Sequence, residues 1–181
     1  MIDQTPGNED LRRELDTANL LRVMADYRAK LRLLEAQYGH TIAILQEGIS
    51  EIARFNCFAY AFGVWSKPIY RRLVDERQSS SLINSDFASE MIRSGDLAEL
   101  PEEQAISGSV VLYFADHALR HAGVVEDAST PQTIRSKWGG NEVHRHKLWE
   151  VPACHGNRAR YFSPPNSDAV LARLEAKRKN D

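Results

Sequence analysis

SVVLYFADHALRHAGVVED, residues 109–127, decides the fold class that the sequence predicts. It holds two short runs rich in valine, SVVLYF (109–114) and AGVVED (122–127), with a polar turn between them. Short β-branched segments bounded by turns are typical of antiparallel strands. TIRSKW (133–138) and KLWEV (147–151) continue the pattern. The second half of the chain therefore predicts an antiparallel meander.

The first half of the chain has the pattern of helices. Residues Asn8 to Tyr38 are charged, rich in leucine and free of glycine and proline, which predicts one long helix. A second helix is predicted from Thr41 to Arg54, and a third begins near Asn56. Two further helical segments are SDFASEMIRSGDL (85–97) and SDAVLARLEAKRKND (167–181). Helices first and strands later predict an α+β protein.

The predicted N-terminal helix carries an apolar seam whose members are spaced alternately four and three residues apart. These are Leu20, Met24, Tyr27, Leu31, Leu34 and Tyr38. Such a seam packs either against the chain's own domain or against a second copy, so a dimer through this helix is one of two predictions.

The length of 181 residues suits one domain of ordinary size. We expect a long helix and connector in residues 1–45, the main domain in 46–165 and a short helix in 166–181. A hydrophobic fraction of 43% and a charged fraction of 27% are ordinary for a soluble globular protein.

The composition also bounds the partners and the compartment. A formal net charge of -2 gives no electrostatic reason to expect nucleic acid or a membrane surface as partner. No apolar run approaches the roughly 20 residues of a membrane helix. The N-terminus lacks a basic region followed by an apolar one, so we expect a cytoplasmic protein, or one exported without a cleaved leader.

Two cysteines, Cys57 and Cys154, are too few for a disulfide framework and are expected to be free thiols. RFNCFAYAFGVW (54–65) places Cys57 behind Asn56, a good N-cap, at the start of a helix. A free cysteine is commonly a small buried hydrophobe. At a helix start beside an imidazolium, however, it becomes a nucleophile. Cys154 has no comparable helix start and is expected to be structural.

Of the six histidines, His121 is the best candidate for a partner of that thiol. It opens a predicted strand and is followed by Ala122 and Gly123, which leave room for a large neighbour. The strand before it supplies apolar support.

The order of three motifs resembles a known family. NCFAYAFG (56–63), GSVVLY (108–113) and HAGVV (121–125) are similar to the papain-like cysteine hydrolases of the NlpC/P60 and CHAP type, over roughly residues 50–162. SKWGG (136–140) and EVPACHG (150–156) look like a subgroup signature. The resemblance implies a papain-like α+β fold and cleavage or transfer at the amide bond of a peptide or protein, with no cofactor.

The resemblance also implies roles for individual residues. Cys57 is the nucleophile and His121 the general base. The residue that orients the imidazole stays open between Ser136, His144 and His146, while Lys137 is a poor orienter because a charged lysine accepts no hydrogen bond. The oxyanion is expected at the backbone N–H of Cys57, helped by Asn56 or Tyr60. Trp138 is expected in the core or in the wall of the substrate groove.

Two other classes of function remain. One is a catalytically inactive papain-like domain that serves as a protein-binding module. The other is a zinc protein that uses His121, His144 and His146 with Cys57 or Cys154. No Cys-x-x-Cys or His-Glu-x-x-His spacing supports zinc, so no metal site is predicted.

Overall fold

The computed structural model describes residues 8–21, 23–45, 54–77, 79, 82–129, 132–139 and 142–178. Its helices are α1 (Glu9–Asn19), α2 (Met24–Tyr38), α3 (Cys57–Ala61), α4 (Pro68–Arg77), α5 (Ser85–Ser94) and α6 (Ser167–Arg178). Its strands are β1 (Ala43–Leu45), β2 (Glu99–Leu100), β3 (Val110–Ala115), β4 (Ala118–Asp127), β5 (Thr133–Lys137), β6 (Val143–Lys147) and β7 (Arg158–Phe162). Short 3₁₀ helices span Glu102–Gln104 and Ala153–His155.

The seven strands found among the described residues form one antiparallel sheet with the order β1-β6-β5-β4-β3-β7-β2. Strands β3 to β6 are neighbours in chain order, so the predicted meander and the α+β class are confirmed. Strand β7 returns to the other side of β3.

Two of the predicted elements are wrong. The strand expected at 147–151 lies earlier, at Val143–Lys147, and residues 148–149 form a turn. The helix expected from Thr41 to Arg54 begins instead as strand β1, which pairs with β6, and residues 46–53 lie outside the described residues. A short apolar run with β-branched residues does not separate strand from helix by its periodicity.

The single long N-terminal helix is also wrong, because α1 ends at Asn19 and a second helix, α2, begins at Met24. A straight helix over residues 8–38 would be about 46 Å long at 1.5 Å per residue. The break lets both shorter helices bury their apolar stripes: Leu11, Leu15 and Ala18 on α1, and Tyr27, Leu31 and Leu34 on α2.

The sheet separates two cores. The first core contains α3 to α6 and the sheet residues Val110, Leu112, Ala122, Val143 and Phe162. The second core contains α1, α2 and the sheet residues Val111, Tyr113, Val125, Ile134 and Trp138. Alternation along each strand sends successive side chains to opposite cores.

All three predicted segments of the chain contribute to this sheet and its cores. Strand β1 comes from the first segment, and Val170, Leu171 and Leu174 of α6 are buried in the first core. Of the predicted seam, Tyr27, Leu31 and Leu34 are buried in the second core and Met24 and Tyr38 are partly buried against it, whereas Leu20 is 70% exposed. Most of the seam therefore packs against its own domain. Within the described ranges, no helix combines the length and apolarity needed to cross a membrane.

Candidate active site

Helix α3 begins at Cys57, as the sequence predicts, and Asn56 is its N-cap. The side-chain oxygen of Asn56 accepts a hydrogen bond from the backbone N–H of Ala59 at 3.0 Å. Its side-chain nitrogen donates to the carbonyl of Ile83 at 2.7 Å. Asn56 therefore fixes the start of α3 against a neighbouring loop. The sequence predicts that Asn56 caps α3 or helps to hold the oxyanion. Its contacts support the capping role.

Cys57 is half-buried and packs against the first core, where α3 lies over β4 and β5. Burial raises the pKa of its thiol to about 11. A hydrogen bond from the backbone N–H of Ala122 and the charge of Lys137 act in the opposite direction. The thiol is therefore neutral at pH 7, with groups around it that favour its ionised form.

Lys137 is the charged side chain beside this thiol, although only 1% of the residue is exposed. Its ammonium donates to the carbonyl of Gly139 at 2.5 Å and lies 5.3 Å from the ring centroid of Phe55. Burial lowers the pKa of Lys137 to about 8, while the charges of Cys57 and Glu142 raise it. The first core thus contains a thiol and an amine, each of which affects the pKa of the other.

His121, the base expected for Cys57, lies on the opposite face of the sheet. It pairs with Tyr113, a member of the second core, and its ring stacks on His155 at 3.8 Å between centroids. The next residue along β4, Ala122, belongs to the first core on the side of Cys57. Because neighbouring strand residues face opposite ways, the expected contact of His121 with Cys57 is absent.

Ser136 and His144, expected to orient His121, lie on the same face as His121 and away from Cys57. Ser136 Oγ is 2.7 Å from Nε2 of His146 and accepts a hydrogen bond from Trp138 Nε1 at 2.8 Å. His144 Nε2 is 2.7 Å from the hydroxyl of Tyr27 on α2. Their hydrogen bonds therefore stabilise the second core rather than a site around Cys57.

Four histidines are buried in this face: His121, His144, His146 and His155. Burial is the main cause that lowers each pKa, to about 4 for His146, to about 3 for His155 and well below the ordinary value for His121 and His144. Repulsion from neighbouring imidazoles lowers the pKa of His121, His144 and His155 further, and all four histidines are neutral at pH 7.

This histidine cluster does not form the zinc site that was the second alternative. Cys57 lies across the sheet from it, and Cys154 is exposed with its backbone N–H on Asp16. In the part of the chain that the structure describes, no three His, Cys, Asp or Glu side chains are arranged to hold a metal ion.

The two aromatic residues expected near the substrate have different positions. Tyr60 lies on α3 and stacks with Phe55 and Trp65, at centroid distances of 6.3 and 6.1 Å. Trp138 is fully buried in the second core and stacks on His144 at 4.2 Å. Tyr60 therefore remains beside Cys57, whereas Trp138 is a core residue.

Sequence reasoning passed over Lys137 as the neighbour of the thiol. The signal was present in β5, where Ile134, Ser136 and Trp138 alternate with Thr133, Arg135 and Lys137. The set with Ile134 and Trp138 is the more apolar one and faces the second core. The other set, which includes Lys137, therefore faces α3.

Comparisons of the chain with protein-family models, curated proteins and solved structures found no match. The resemblance to papain-like hydrolases therefore stays a prediction that rests on its motifs.

Proposed function

We propose that this protein cleaves or transfers the acyl group of an amide, with Cys57 as nucleophile and Lys137 as the residue that moves the proton. The observation that carries this proposal is a buried ammonium that shares the first core with a half-buried thiol and lowers the pKa of that thiol. A lysine is almost never fully buried unless it is paired, because removing its charge from water is costly. Lys137 takes the role that the resemblance assigns to His121.

The pKa of Lys137, about 8, suits this task. A general base works best when its pKa is near the operating pH, and lysines with a pKa of roughly 7 to 8 serve in this way. Neutral Lys137 accepts the Cys57 proton as the sulfur bonds to the substrate carbonyl carbon. The resulting ammonium then protonates the leaving amine, the C–N bond breaks, and a thioester remains on Cys57.

The acyl group leaves in a second step of the same kind. Neutral Lys137 removes a proton from water or from an acceptor amine, which attacks the thioester carbon, and the proton returns to the departing sulfur. The backbone N–H groups of Cys57 and Phe58 lie at the sulfur in the first turn of α3. They support the expected oxyanion position, since such donors stabilise the charge of the tetrahedral intermediate.

The fold supports a papain-like reading of the domain. A helix that begins at the cysteine packs on an antiparallel sheet, which agrees with the arrangement that the resemblance implies. A lysine in place of the expected histidine is a departure from that pattern.

The acyl-enzyme can be tested with para-nitrophenyl acetate, a simple acyl donor that needs no knowledge of the substrate. We expect an acetyl adduct on Cys57 in the intact mass spectrum, with faster nitrophenolate release above pH 8 than below it. Cys57→Ala is expected to lose both the adduct and the release, and Cys154→Ser to keep them. Equal release by Cys57→Ala and the wild type would contradict the proposal.

One observation favours a second function, that of a catalytically inactive binding module. A thiol with a pKa of about 11 and no histidine beside it is close to an ordinary buried cysteine. This alternative predicts no acetyl adduct on Cys57 and a Lys137 that contributes only to folding.

A further inference from the structure

We propose that helices α1 and α2 form an acid-releasable cover on the sheet, held at neutral pH and detached by protonation of the histidine cluster beneath them. The cluster is His121, His144, His146 and His155, each no more than 7% exposed. The cover lies on the face opposite Cys57, so the switch is separate from the proposed chemistry.

The four imidazoles are packed as one group. His121 and His155 stack at 3.8 Å, and Trp138 contacts the other members, at 4.2 Å from His144, 5.5 Å from His146 and 6.1 Å from His155. Buried ring nitrogens of His121 and His155 have no hydrogen-bond partner among the described residues. A proton added to either nitrogen finds no acceptor among the described protein groups.

The cover makes direct contact with this group. Tyr27 of α2 places its hydroxyl 2.7 Å from Nε2 of His144. Arg12 of α1 donates to the carbonyls of Val151 and Gly156, which flank the 3₁₀ helix of His155. The same helices close the second core with Leu15, Leu31 and Leu34. Separation of the cover is therefore the direct way for the imidazoles to reach water.

The charges that face the cluster have both signs. Arg12 of α1 disfavours protonation of His155, and Lys137 of β5 disfavours protonation of His121 and His144. The carboxylate of Glu150 favours protonated His146. Other ionisable groups that face the region are Glu9 and Asp16 of α1, Cys154, Tyr27, Glu142, Tyr113 and Tyr161. Three of the four imidazoles therefore have a cation nearby that opposes their protonation.

The direction of the pH effect follows from proton linkage. The covered imidazoles are neutral because burial lowers their pKa, whereas exposed imidazoles titrate near 6.5. Below that pH the open form binds more protons, so opening becomes more favourable as the pH falls. Each imidazole that gains access to water favours opening by about thirtyfold at pH 5.

The effect is expected to be local to one layer. The first core packs α4, α5 and α6 against the sheet with apolar side chains. Among the described residues the other buried histidine is His40, which contacts α2 rather than the first core. Acid therefore acts on α1 and α2 before it acts on the rest of the fold.

Hydrogen exchange of the full chain, read by mass spectrometry at pH 7.5 and pH 5 and corrected for intrinsic exchange, tests this cover. We expect opening of α1 and α2 to increase at least thirtyfold at pH 5, and both helices to be less protected at that pH than α4, α5 and α6. Equal protection of α1 and α2 at both pH values would overturn the proposal, as would equal protection of all these helices at pH 5.

Non-titrating variants identify the groups responsible. His155→Phe keeps a ring against His121, and His144→Gln keeps a polar partner for Tyr27, so at least one is expected to fold. In either variant, the increase in opening of α1 and α2 between pH 7.5 and pH 5 is expected to be smaller by about tenfold or more. His117→Gln, at an exposed position, is expected to leave this increase unchanged. A full pH effect in both folded variants would overturn the assignment to the cluster.

Discussion

Cys57 and His121 lie on opposite faces of one sheet, although Ala122, the residue after His121, donates its backbone N–H to the Cys57 thiol. The separation is set by strand alternation, because Ala122 faces the first core and His121 must face the second. Thiol chemistry at Cys57 therefore depends on groups in the first core, and Lys137 is the cation that lowers the pKa of the thiol.

The alkylation of Cys57 by iodoacetamide is expected to be slow at pH 7 and to accelerate steeply with pH. The thiolate reacts, and burial raises the thiol pKa to about 11, so its fraction grows about tenfold per pH unit over the range below that value. Peptide mass spectrometry separates Cys57 from Cys154. A plateau reached below pH 8 would contradict the raised pKa.

Asn56→Ala is expected to lower both stability and the reactivity of Cys57. The change removes the N-cap hydrogen bond of α3 and its link to Ile83, at a cost of about 1 kcal/mol. Asn84→Ala removes the equivalent cap of α5 and is the matched control. Urea unfolding should detect a similar loss of stability in both variants. The alkylation rate of Cys57 should decrease in Asn56→Ala alone. Equal effects on alkylation would show that Asn56 does not position the thiol.

Tyr27→Phe tests the contact between the N-terminal helices and the sheet. Tyr27 is fully buried, and loss of its hydroxyl leaves Nε2 of His144 without a partner. A buried polar group left unpaired costs about 1 to 3 kcal/mol. The control Tyr38→Phe, on the same helix and half-buried, is expected to stay within about 0.5 kcal/mol of the wild type. Equal urea midpoints for the wild type and Tyr27→Phe would contradict this contact.

Global stability is expected to decrease as the pH falls from 7 to 5. His146 has a pKa of about 4 in the folded protein against an ordinary 6.5, so the unfolded state binds more protons between these values. Stability therefore rises with pH through that window and is lost on acidification, by about 2 kcal/mol for this imidazole alone at pH 5. Urea unfolding at both pH values measures it, and His146→Gln should show a smaller difference. A pH-independent urea midpoint would exclude buried neutral histidines.

Much of the fold could be predicted from short-range patterns. The start of α3 at Cys57 and the meander of β3 to β5 follow from capping and alternation. Strand β1 and the break after Asn19 depend on long-range partners, namely β6 and the second core, which leave no local signal.

The site was harder to predict than the fold. Cys57 begins α3 as expected, but His121 is the fourth residue of β4 (Ala118–Asp127) and does not open the strand, and the face to which it points depends on the whole register of β4. A one-residue difference in that assignment moves a side chain across the sheet. The stack of His155 on His121 joins residues 34 positions apart in the sequence and had no motif to indicate it.

The most direct measurement is the alkylation rate of Cys57 at pH 8 in Lys137→Met and in His121→Gln, each shown to be folded by circular dichroism. Lys137→Met removes the positive charge beside the thiol, and a nearby opposite charge shifts a pKa by about one unit or more, so we expect a rate at least about tenfold lower. His121→Gln is expected to stay within about twofold of the wild type, because the imidazole lies across the sheet. A slow His121→Gln beside an unchanged Lys137→Met would contradict the proposed site.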